Sequence, residues 1–248
     1  HITLTGFAII PAVISKYKYK TPILATEHGV FLREKMIYVN SSAFSFISKD
    51  FMIKCSEAIA ELAYQKSDII TSVNLFNTKW EKTYGATDKQ IKIIYNGIDH
   101  LRFNLGEKPA HLKNTPTVVA VARIFELKDI LTMIKSCYHV KKEIPNVKYL
   151  VYGDKNSVPK YTKECINLIN KLELEDNFIL AGHHSEPEKI FLEGDISILT
   201  SISEGFPYTV LESMSCGIPV VATDVGGVTE AINKDCGFVC KPKAPKEI

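Results

Sequence analysis

The chain has 248 residues, of which 46% are apolar and 23% are charged, and its formal net charge is +2. This length allows two compact α/β units, and the composition is ordinary for a globular protein. The small net charge gives no excess of basic residues of the kind that nucleic-acid-binding proteins carry, so we expect no nucleic-acid partner. The longest apolar stretch, at residues 7–14, is too short to span a bilayer and lacks the flanks of a cleaved signal peptide.

The first part of the chain predicts few strands. An apolar helix at 6–19 precedes a strand at 23–26, which ends in Glu27-His28-Gly29. A histidine at the carboxyl end of a parallel strand lies where α/β sheets bind ligands, although a structural histidine is the commoner alternative. The charged segment at 30–35 gives no firm prediction. The remaining predicted elements are helical spacing at 43–66, a strand at 69–73, a helix at 75–84 and a strand at 91–95.

Three strands are few for a doubly wound sheet, which usually has about five or six. The chain also begins at His1 rather than at a methionine. We therefore expect a fragment whose missing strands precede His1. The periodic pattern lapses between residues 99 and 116, which predicts a linker. We place the domain boundary near residue 112, giving domains at 1–111 and 112–248.

Beyond the linker, strands and helices alternate regularly. This alternation predicts a parallel sheet covered by helices on both faces. The predicted strands are at 117–122, 147–152, 177–181, 195–200, 219–223 and 237–240, and the predicted helices are at 128–142, 160–172, 186–193, after Pro207 and near 228–232.

The six cysteines show no paired C-x-x-C spacing, and most fall in apolar patterns. They are therefore predicted to be reduced thiols, which agrees with a cytoplasmic protein. Cys236 and Cys240 are a weak alternative as metal ligands, because no second pair or nearby histidine supports them.

A glycine turn joins the strand at 195–200 to the helix that follows Pro207. Proline suits the first helical position, which needs no N–H. The N–H groups of Tyr208, Thr209 and Val210 would then lack intrahelical acceptors and form an anion site at the positive end of the helix. The segment therefore predicts a phosphate site.

Glu204 lies in the turn before the helix, and Glu212 lies about one turn inside the helix. Two carboxylates beside an anion site are unfavourable unless they bind ligand hydroxyls. A sugar joined to a nucleotide diphosphate offers both phosphate and hydroxyl groups. The alternative is a capped surface helix that carries two solvated glutamates.

Two cations follow the first strand of the second domain. Arg123 ends that strand, and Lys128 is predicted to begin the next helix, where Asp129 offsets its unfavourable position at the helix dipole. In the functional interpretation both cations face the ligand crevice and neutralise a diphosphate, Arg123 with a bidentate fork and Lys128 as a point charge.

These residues resemble a known family. Glu204 and Glu212, with Gly205-Phe206-Pro207 between them, resemble the E-x7-E signature of the retaining family 4 glycosyltransferases, and Arg123 and Lys128 resemble its R-x4-K pair. The segments at 26–29 and 32–34 resemble the PelF-type branch, which makes exopolysaccharide from UDP-glucose.

The resemblance implies a GT-B fold of two Rossmann-like domains, the first of them truncated here. It implies hexose transfer from a UDP-sugar to a polysaccharide or glycan acceptor with retention of configuration, and no required metal. The absence of a D-x-D triplet agrees with metal independence. A further implied partner is a membrane polysaccharide-export complex, which would bring a cytoplasmic enzyme to the inner face of the membrane. The start of the first domain and a C-terminal crossing helix are expected to be missing.

The same resemblance implies a role for each site residue. Arg123 and Lys128 would stabilise the leaving diphosphate, and Glu204 would hold the sugar hydroxyls. His28 would act on the donor sugar from the first domain, and Glu212 would bind the ribose. The acceptor would attack on the face from which the diphosphate leaves. The residues implied to bind the donor are Gly205, Phe206, Pro207, Tyr208, Thr209, Leu211, Glu212 and His184, with backbone near His183 in the base pocket.

Two alternatives stay open. One is a non-catalytic nucleotide-sugar-binding subunit of a polysaccharide synthase. The other is a nucleotide-sugar epimerase on the same fold, which the paired motifs disfavour.

Overall fold

In the computed structural model, which describes residues 1–248, the chain divides into a first unit at 1–96 and a second unit at 97–248. This division falls before the predicted boundary near residue 112, because the intervening segment packs on the second unit. Phe103 is buried there, with its ring centroid 6.3 Å from that of Phe191. Lys108 Nζ lies 2.6 Å from Asp195 Oδ2.

The first unit contains the three predicted strands, which form a parallel sheet in the order β1-β2-β3. Its second helix, α2, was not predicted, because the segment at 30–35 is charged and shows no clear apolar period. The elements are α1 (Ile9–Tyr19), β1 (Leu24–Glu27), α2 (Phe31–Ser41), α3 (Phe46–Lys66), β2 (Ile69–Ser72), α4 (Leu75–Thr83) and β3 (Ile91–Ile93).

The helix α3 supplies much of the core of the first unit. It begins after Ser45, whose hydroxyl accepts the N–H of Ser48 and so caps the helix. Its buried residues Ile59, Ala60 and Ala63 recur at helical spacing and pack against the sheet. At 21 residues α3 is the longest helix, and neither it nor any other helix is long and apolar enough to cross a membrane.

The second unit is a six-stranded parallel sheet in the order β6-β5-β4-β7-β8-β9. This confirms the predicted parallel α/β architecture. The order reverses between β4 and β7, which makes that pair the switch point of the sheet. The elements are β4 (Thr117–Val121), a 3-10 turn (Glu126–Lys128), α5 (Ile130–Glu143), β5 (Lys148–Tyr152), α6 (Pro159–Lys171), β6 (Phe178–Gly182), α7 (Pro187–Phe191), β7 (Ile196–Leu199), α8 (Tyr208–Ser215), β8 (Val220–Thr223), α9 (Val228–Ala231) and β9 (Gly237–Cys240).

Apolar stripes on α5 and α6 cover one face of this sheet. On α5, Ile130, Ile134 and Cys137 are fully buried at helical spacing. On the sheet, Tyr149 and Phe178 of neighbouring strands stack with their ring centroids 5.9 Å apart. These contacts form the largest core cluster of the second unit.

All six cysteines are free thiols, and four of them are buried. Burial raises the pKa of Cys137 and of Cys165 to about 12, so both thiols are protonated at neutral pH. These two cysteines therefore behave as small apolar core residues.

A pair of matched truncations tests this core. Replacing Ile134, which is fully buried, with Ala should lower the free energy of unfolding by about 2–5 kcal/mol, because it removes packed methyl groups and leaves a cavity. The control Ile166→Ala removes the same atoms at a position that is 44% exposed and should change it by less than about 1 kcal/mol. Urea unfolding followed by circular dichroism measures both, and equal losses would contradict the assigned core.

Candidate active site

The switch point between β4 and β7 brings two loops together at the carboxyl edge of the sheet. The loop after β4 spans residues 122–129, and the loop after β7 spans residues 200–207. In open parallel sheets, ligands bind at this point because the connections on its two sides run to opposite faces. Arg123, Lys128 and Glu204 all lie on these two loops.

Arg123 stands where β4 ends. The N–H of Ala122 still donates to Tyr152 O at 2.9 Å, so the chain leaves the sheet at Arg123. Gly153, directly after the neighbouring strand β5, is required here, since a Cβ would lie 1.9 Å from Ala122 O. The Arg123 side chain is exposed, and its guanidinium carbon lies 4.7 Å from the centroid of the Phe125 ring. Arg123 therefore presents its charge to solvent at the rim of the site.

Lys128 ends the 3-10 turn rather than beginning α5, which corrects the predicted helix start. Asp129 follows in a left-handed conformation, with φ 44°, and is the true N-cap of α5. Its carboxylate accepts the Thr132 N–H at 3.3 Å and the Thr132 hydroxyl at 2.7 Å. The cation thus precedes the helix, and the helix carries its own acidic cap.

Lys128 and Glu204 form an ion pair across the two loops. Lys128 Nζ lies 2.5 Å from Glu204 Oε1, and the side chains are 19% and 12% exposed. The Ser201 hydroxyl donates to the same oxygen at 2.5 Å. A largely buried pair of this kind needs added hydrogen bonds to offset the lost hydration, and Ser201 supplies one. The sequence predicts a cation and an acid at this edge, and the structure brings them into contact.

Backbone hydrogen bonds fix the distance between the two loops. The Ile202 N–H donates to Leu127 O at 2.9 Å. The Thr200 hydroxyl donates to Lys128 O at 2.8 Å. Neither Thr200 nor Ser201 was singled out from the sequence, although both are buried polar residues directly after an apolar strand. They hold Lys128 against Glu204.

The helix α8 begins one residue later than predicted. Pro207 is its N-cap, with φ −72° and ψ 121°, and the first helical residue is Tyr208. The N–H of Val210 donates to Pro207 O at 3.2 Å, so the prediction of a free N–H at Val210 is wrong. Helical geometry leaves the N–H groups of Tyr208 and Thr209 without intrahelical acceptors. The predicted anion site therefore retains two of its three backbone donors.

The turn before α8 rests on a glycine that the sequence patterns did not single out. Gly226 has φ 57°, and a Cβ there would lie 2.0 Å from Glu204 O. The neighbouring Gly227 N–H donates to Gly205 O at 2.8 Å. The loop after β8 thus supports the backbone that carries Glu204. The adjacent pair Gly226-Gly227 after a buried strand was the available sequence signal.

Glu212 lies half-buried on α8, one turn beyond the N-cap. Burial raises the pKa of its carboxyl, and the positive charge of Arg102 acts against this rise. Arg102 itself is anchored by Glu188, whose Oε2 accepts from Nε at 3.0 Å and lies 2.9 Å from Nη2. Arg102 was missed because it falls in the segment interpreted as a linker.

A cleft of about 360 Å³ opens beside β4 and β5. Its lining includes Arg102, Tyr152 and the two predicted histidines, His183 and His184. His184 Nδ1 accepts the Glu186 N–H at 3.0 Å, and its ring meets the Tyr152 ring edge to face at 5.8 Å. The Tyr152 hydroxyl donates to Glu193. The cleft has aromatic walls and the size of a small-molecule site.

The other predicted residues lie where their elements put them. His28 follows β1 in the first unit, with an exposed side chain. Phe206 is 6% exposed, so its ring belongs to the packing of the turn and only its backbone can serve a ligand. Leu211 is partly buried on α8.

Residues 102–248, more than half of the chain, match the family described as glycosyl transferases group 1. The chain belongs to this family. This confirms the prediction of a glycosyltransferase family, while the retaining mechanism stays a prediction. Residues 1–89 match a second family, described as a domain of unknown function (DUF3492). The PelF-type branch and the fragment status stay predictions.

Two curated relatives illustrate the range of the family. A phosphatidylinositol N-acetylglucosaminyltransferase subunit of Arabidopsis thaliana is 26% identical over 228 residues, covering 88% of this chain and 48% of that protein. N-acetyl-alpha-D-glucosaminyl L-malate synthase of Bacillus anthracis is 25% identical over 186 residues, covering 71% of this chain and 47% of that protein. The chain thus spans about half the length of the curated relatives it matches.

Solved structures confirm the fold. HepE (Alr3699) of Anabaena in complex with UDP-glucose has a TM-score of 0.79 at 21% identity, covering 97% of this chain and 64% of that one. Sucrose-phosphate synthase of Thermosynechococcus elongatus has a TM-score of 0.72 at 18% identity, covering 96% of this chain and 65% of that one. At such identities the similarity establishes the fold, which is the predicted GT-B fold.

Removing either member of the ion pair should destabilise the second unit. Lys128→Met leaves the Glu204 carboxylate largely buried beside Ser201 alone, so we expect a loss of about 1–3 kcal/mol in the free energy of unfolding. The double variant Lys128→Met/Glu204→Gln should lose less than the sum of the two single variants. Urea unfolding of all four proteins measures this coupling, and strict additivity would show that the contact is energetically unimportant.

Gly226 and Gly217 provide a matched test of the support beneath Glu204. Both have positive φ, so Ala at either should cost about 1 kcal/mol or more in stability through backbone strain. At Gly217 the new Cβ meets a flexible Leu105 methyl, whereas at Gly226 it meets the Glu204 carbonyl. Gly226→Ala alone should therefore displace the turn and weaken binding of a nucleotide diphosphate by about tenfold or more. Calorimetry with both variants measures this affinity. Equal affinities would contradict the role of Gly226 in supporting the backbone of Glu204.

Proposed function

We propose that this protein is a retaining glycosyltransferase that moves a hexose from a UDP-sugar, with UDP-glucose as the first candidate, to a growing polysaccharide or glycan acceptor. Membership of the glycosyl transferase group 1 family supports sugar transfer in general. The observation that carries the finer proposal is the Lys128–Glu204 pair beside the N-terminus of α8 at the switch point. It combines a cation for a phosphate with an acceptor for hydroxyls.

The leaving diphosphate is the group that most needs stabilisation. Negative charge grows on it as the bond to the sugar breaks, and fixed positive groups in a partly buried site stabilise that charge strongly. Lys128 supplies such a charge, and exposed Arg123 supplies a second at the rim. The N–H groups of Tyr208 and Thr209 add backbone donors at the start of α8.

Glu204 is the proposed acceptor for the hydroxyls of the donor sugar. Lys128 and the Ser201 hydroxyl both hold its carboxylate through one oxygen, Oε1. The second oxygen, Oε2, can therefore accept from a ligand, so a sugar can bind at this group without separating the ion pair. Gly205, Phe206 and Pro207 would line the same turn through their backbones.

The nucleoside end is assigned to Glu212 and the cleft beside β5. Glu212 accepts the ribose hydroxyls in this proposal, and Arg102 keeps its carboxyl more readily ionised than burial alone would. The base lies in the cleft near His184, whose edge-to-face contact with Tyr152 shapes one wall. Leu211 lies partly buried on the same helix as Glu212.

Three further parts of the proposal rest on the family resemblance. The donor site works without a metal, since Arg123 and Lys128 supply positive charge to the diphosphate. His28 acts on the donor sugar. The acceptor attacks on the face from which the diphosphate leaves, which retains the configuration of the sugar.

The choice of UDP-glucose is supported by one structural neighbour. HepE of Anabaena was solved in complex with UDP-glucose, while the two curated relatives described above carry N-acetylglucosamine in their names. N-acetylglucosamine is therefore the competing sugar. A donor panel must include both.

Lys128→Ala in the complete protein tests the function. Loss of this cation should lower the turnover number for transfer by about 10²–10³, because the lysine stabilises charge that develops in the transition state. The control Lys160→Ala removes an exposed lysine from α6 and should leave turnover unchanged. Release of UDP from UDP-glucose and UDP-N-acetylglucosamine measures turnover.

Two results would overturn the proposal. Unchanged turnover in Lys128→Ala would remove the assigned role of the ion pair. Binding of UDP by the wild-type protein without transfer from any donor in the panel would favour a non-catalytic nucleotide-sugar-binding subunit.

A further inference from the structure

A buried carboxyl group lies directly before the predicted site histidine of the first unit. Glu27 is the last residue of β1 and is 0% exposed, whereas His28, the next residue, is exposed. Inward and outward positions alternate along β1, and Glu27 shares the inward face with Ala25. A charged residue type thus occupies a core position, which is rare unless its charge is paired or removed.

The two oxygens of Glu27 link the end of β1 to two other segments of the chain. Oε1 accepts the N–H of Phe31, the first residue of α2, at 3.0 Å. Oε2 accepts a hydrogen bond from the Thr5 hydroxyl, which belongs to the segment before α1. Val30, the N-cap of α2, provides no side-chain acceptor, so Glu27 takes over the capping of this helix. The turn at residues 28–30 is therefore closed by the side chain of Glu27.

The surroundings of Glu27 disfavour a negative charge. Glu81 on α4 is also 0% exposed, and the charges of Glu81 and Glu34 both raise the pKa of Glu27. Burial is the largest cause, and together these effects raise that pKa to about 8, although the Phe31 N–H and Tyr64 act in the opposite direction. Glu27 is therefore largely uncharged at neutral pH.

The rest of the cluster is polar and equally buried. Tyr64 on α3 is fully buried, and its hydroxyl lies near Glu27 without meeting the geometry of a hydrogen bond. Burial also raises the pKa of Glu81, against which Ser72 and the Lys82 charge act. Two buried carboxyl groups that repel one another cannot both ionise without large cost.

We propose that Glu27 is a positioning residue, whose buried, uncharged carboxyl bridges Thr5 and the first turn of α2 and so fixes the turn that carries His28. This inference rests on the proposed function, in which His28 acts on the donor sugar. An uncharged carboxyl can still accept the Phe31 N–H through Oε1, and it also carries an O–H group that can donate a hydrogen bond. An ionised one would add a negative charge beside Glu81.

Unfolding as a function of pH tests the charge state without any activity. The folded protein holds an extra proton between about pH 4.5 and 8, so its stability must fall as pH rises through that window. The unfolding constant of the wild type should rise by up to about tenfold per pH unit there from this group. Trp80, the single tryptophan, lies on α4 beside Glu81 and reports this unit by fluorescence.

Glu27→Gln keeps the size and the bonding of an uncharged carboxyl. It should flatten the pH dependence of urea unfolding, with its largest stabilisation relative to wild type near pH 8 and none below about pH 4.5. The control Glu61→Gln alters an exposed residue of α3 and should leave the wild-type slope. An unchanged slope in Glu27→Gln would overturn the proposal.

Transfer kinetics of the complete protein test the link to His28. Glu27→Ala should lower kcat on the order of 10²-fold, as expected for a misplaced site residue, and Glu27→Gln should restore it. The double variant Glu27→Ala/His28→Ala should be no slower than His28→Ala alone, because Glu27 acts through His28. Losses that multiply would overturn the positioning role, whereas failure of the wild type to transfer would count against the proposed function and leave the unfolding result standing.

Discussion

The ion pair between Lys128 and Glu204 depends on one constraint of the fold, the adjacency of β4 and β7 at the switch point. These strands are neighbours in space but far apart in sequence. The connections that leave them diverge, so their first residues enclose a space that the rest of the sheet cannot offer. A cation from one loop and a carboxylate from the other meet there at 2.5 Å. Stability alone does not account for the pair, since an apolar contact of similar volume is often as favourable.

Close backbone packing fixes the positions of the two loops that carry Lys128 and Glu204. Gly153 lets β5 approach the exit of β4, and Gly226 lets the loop after β8 lie directly beneath Glu204, both at distances that exclude a Cβ. Thr200 then ties the loop after β7 to the backbone of Lys128. The backbone that carries the charged side chains of the site is therefore held in place by glycines and by a buried polar residue. Their geometry is set before any ligand arrives, which is what electrostatic stabilisation of a transition state requires.

Sequence patterns predicted most of this fold, because alternating apolar strands and helices dominate the second unit. They failed at two helix starts and at contacts between residues that are far apart in sequence. The helix α2 was missed since its charged start hides the apolar face. The start of α5 was misplaced because the left-handed Asp129, rather than Lys128, caps it. Arg102 was missed because it lies in the segment interpreted as a linker, and its anchor Glu188 is remote in sequence. Gly226 was missed because the residue whose backbone it supports, Glu204, is also remote in sequence.

Two glutamates at the ends of parallel strands show why residue type alone does not define a role. Glu204 follows β7 and contacts a lysine and a hydroxyl through one oxygen, and in the proposed function its other oxygen accepts from the ligand. Glu27 ends β1, lies among other acids, and is held uncharged by burial, which raises its pKa. Glu204 is suited to bind a ligand, and Glu27 is suited to hold two segments of the chain together. A neutral carboxyl can serve in that second role because it both accepts and donates hydrogen bonds without attracting a counter-ion. Only the residues packed around each carboxyl decide between these roles.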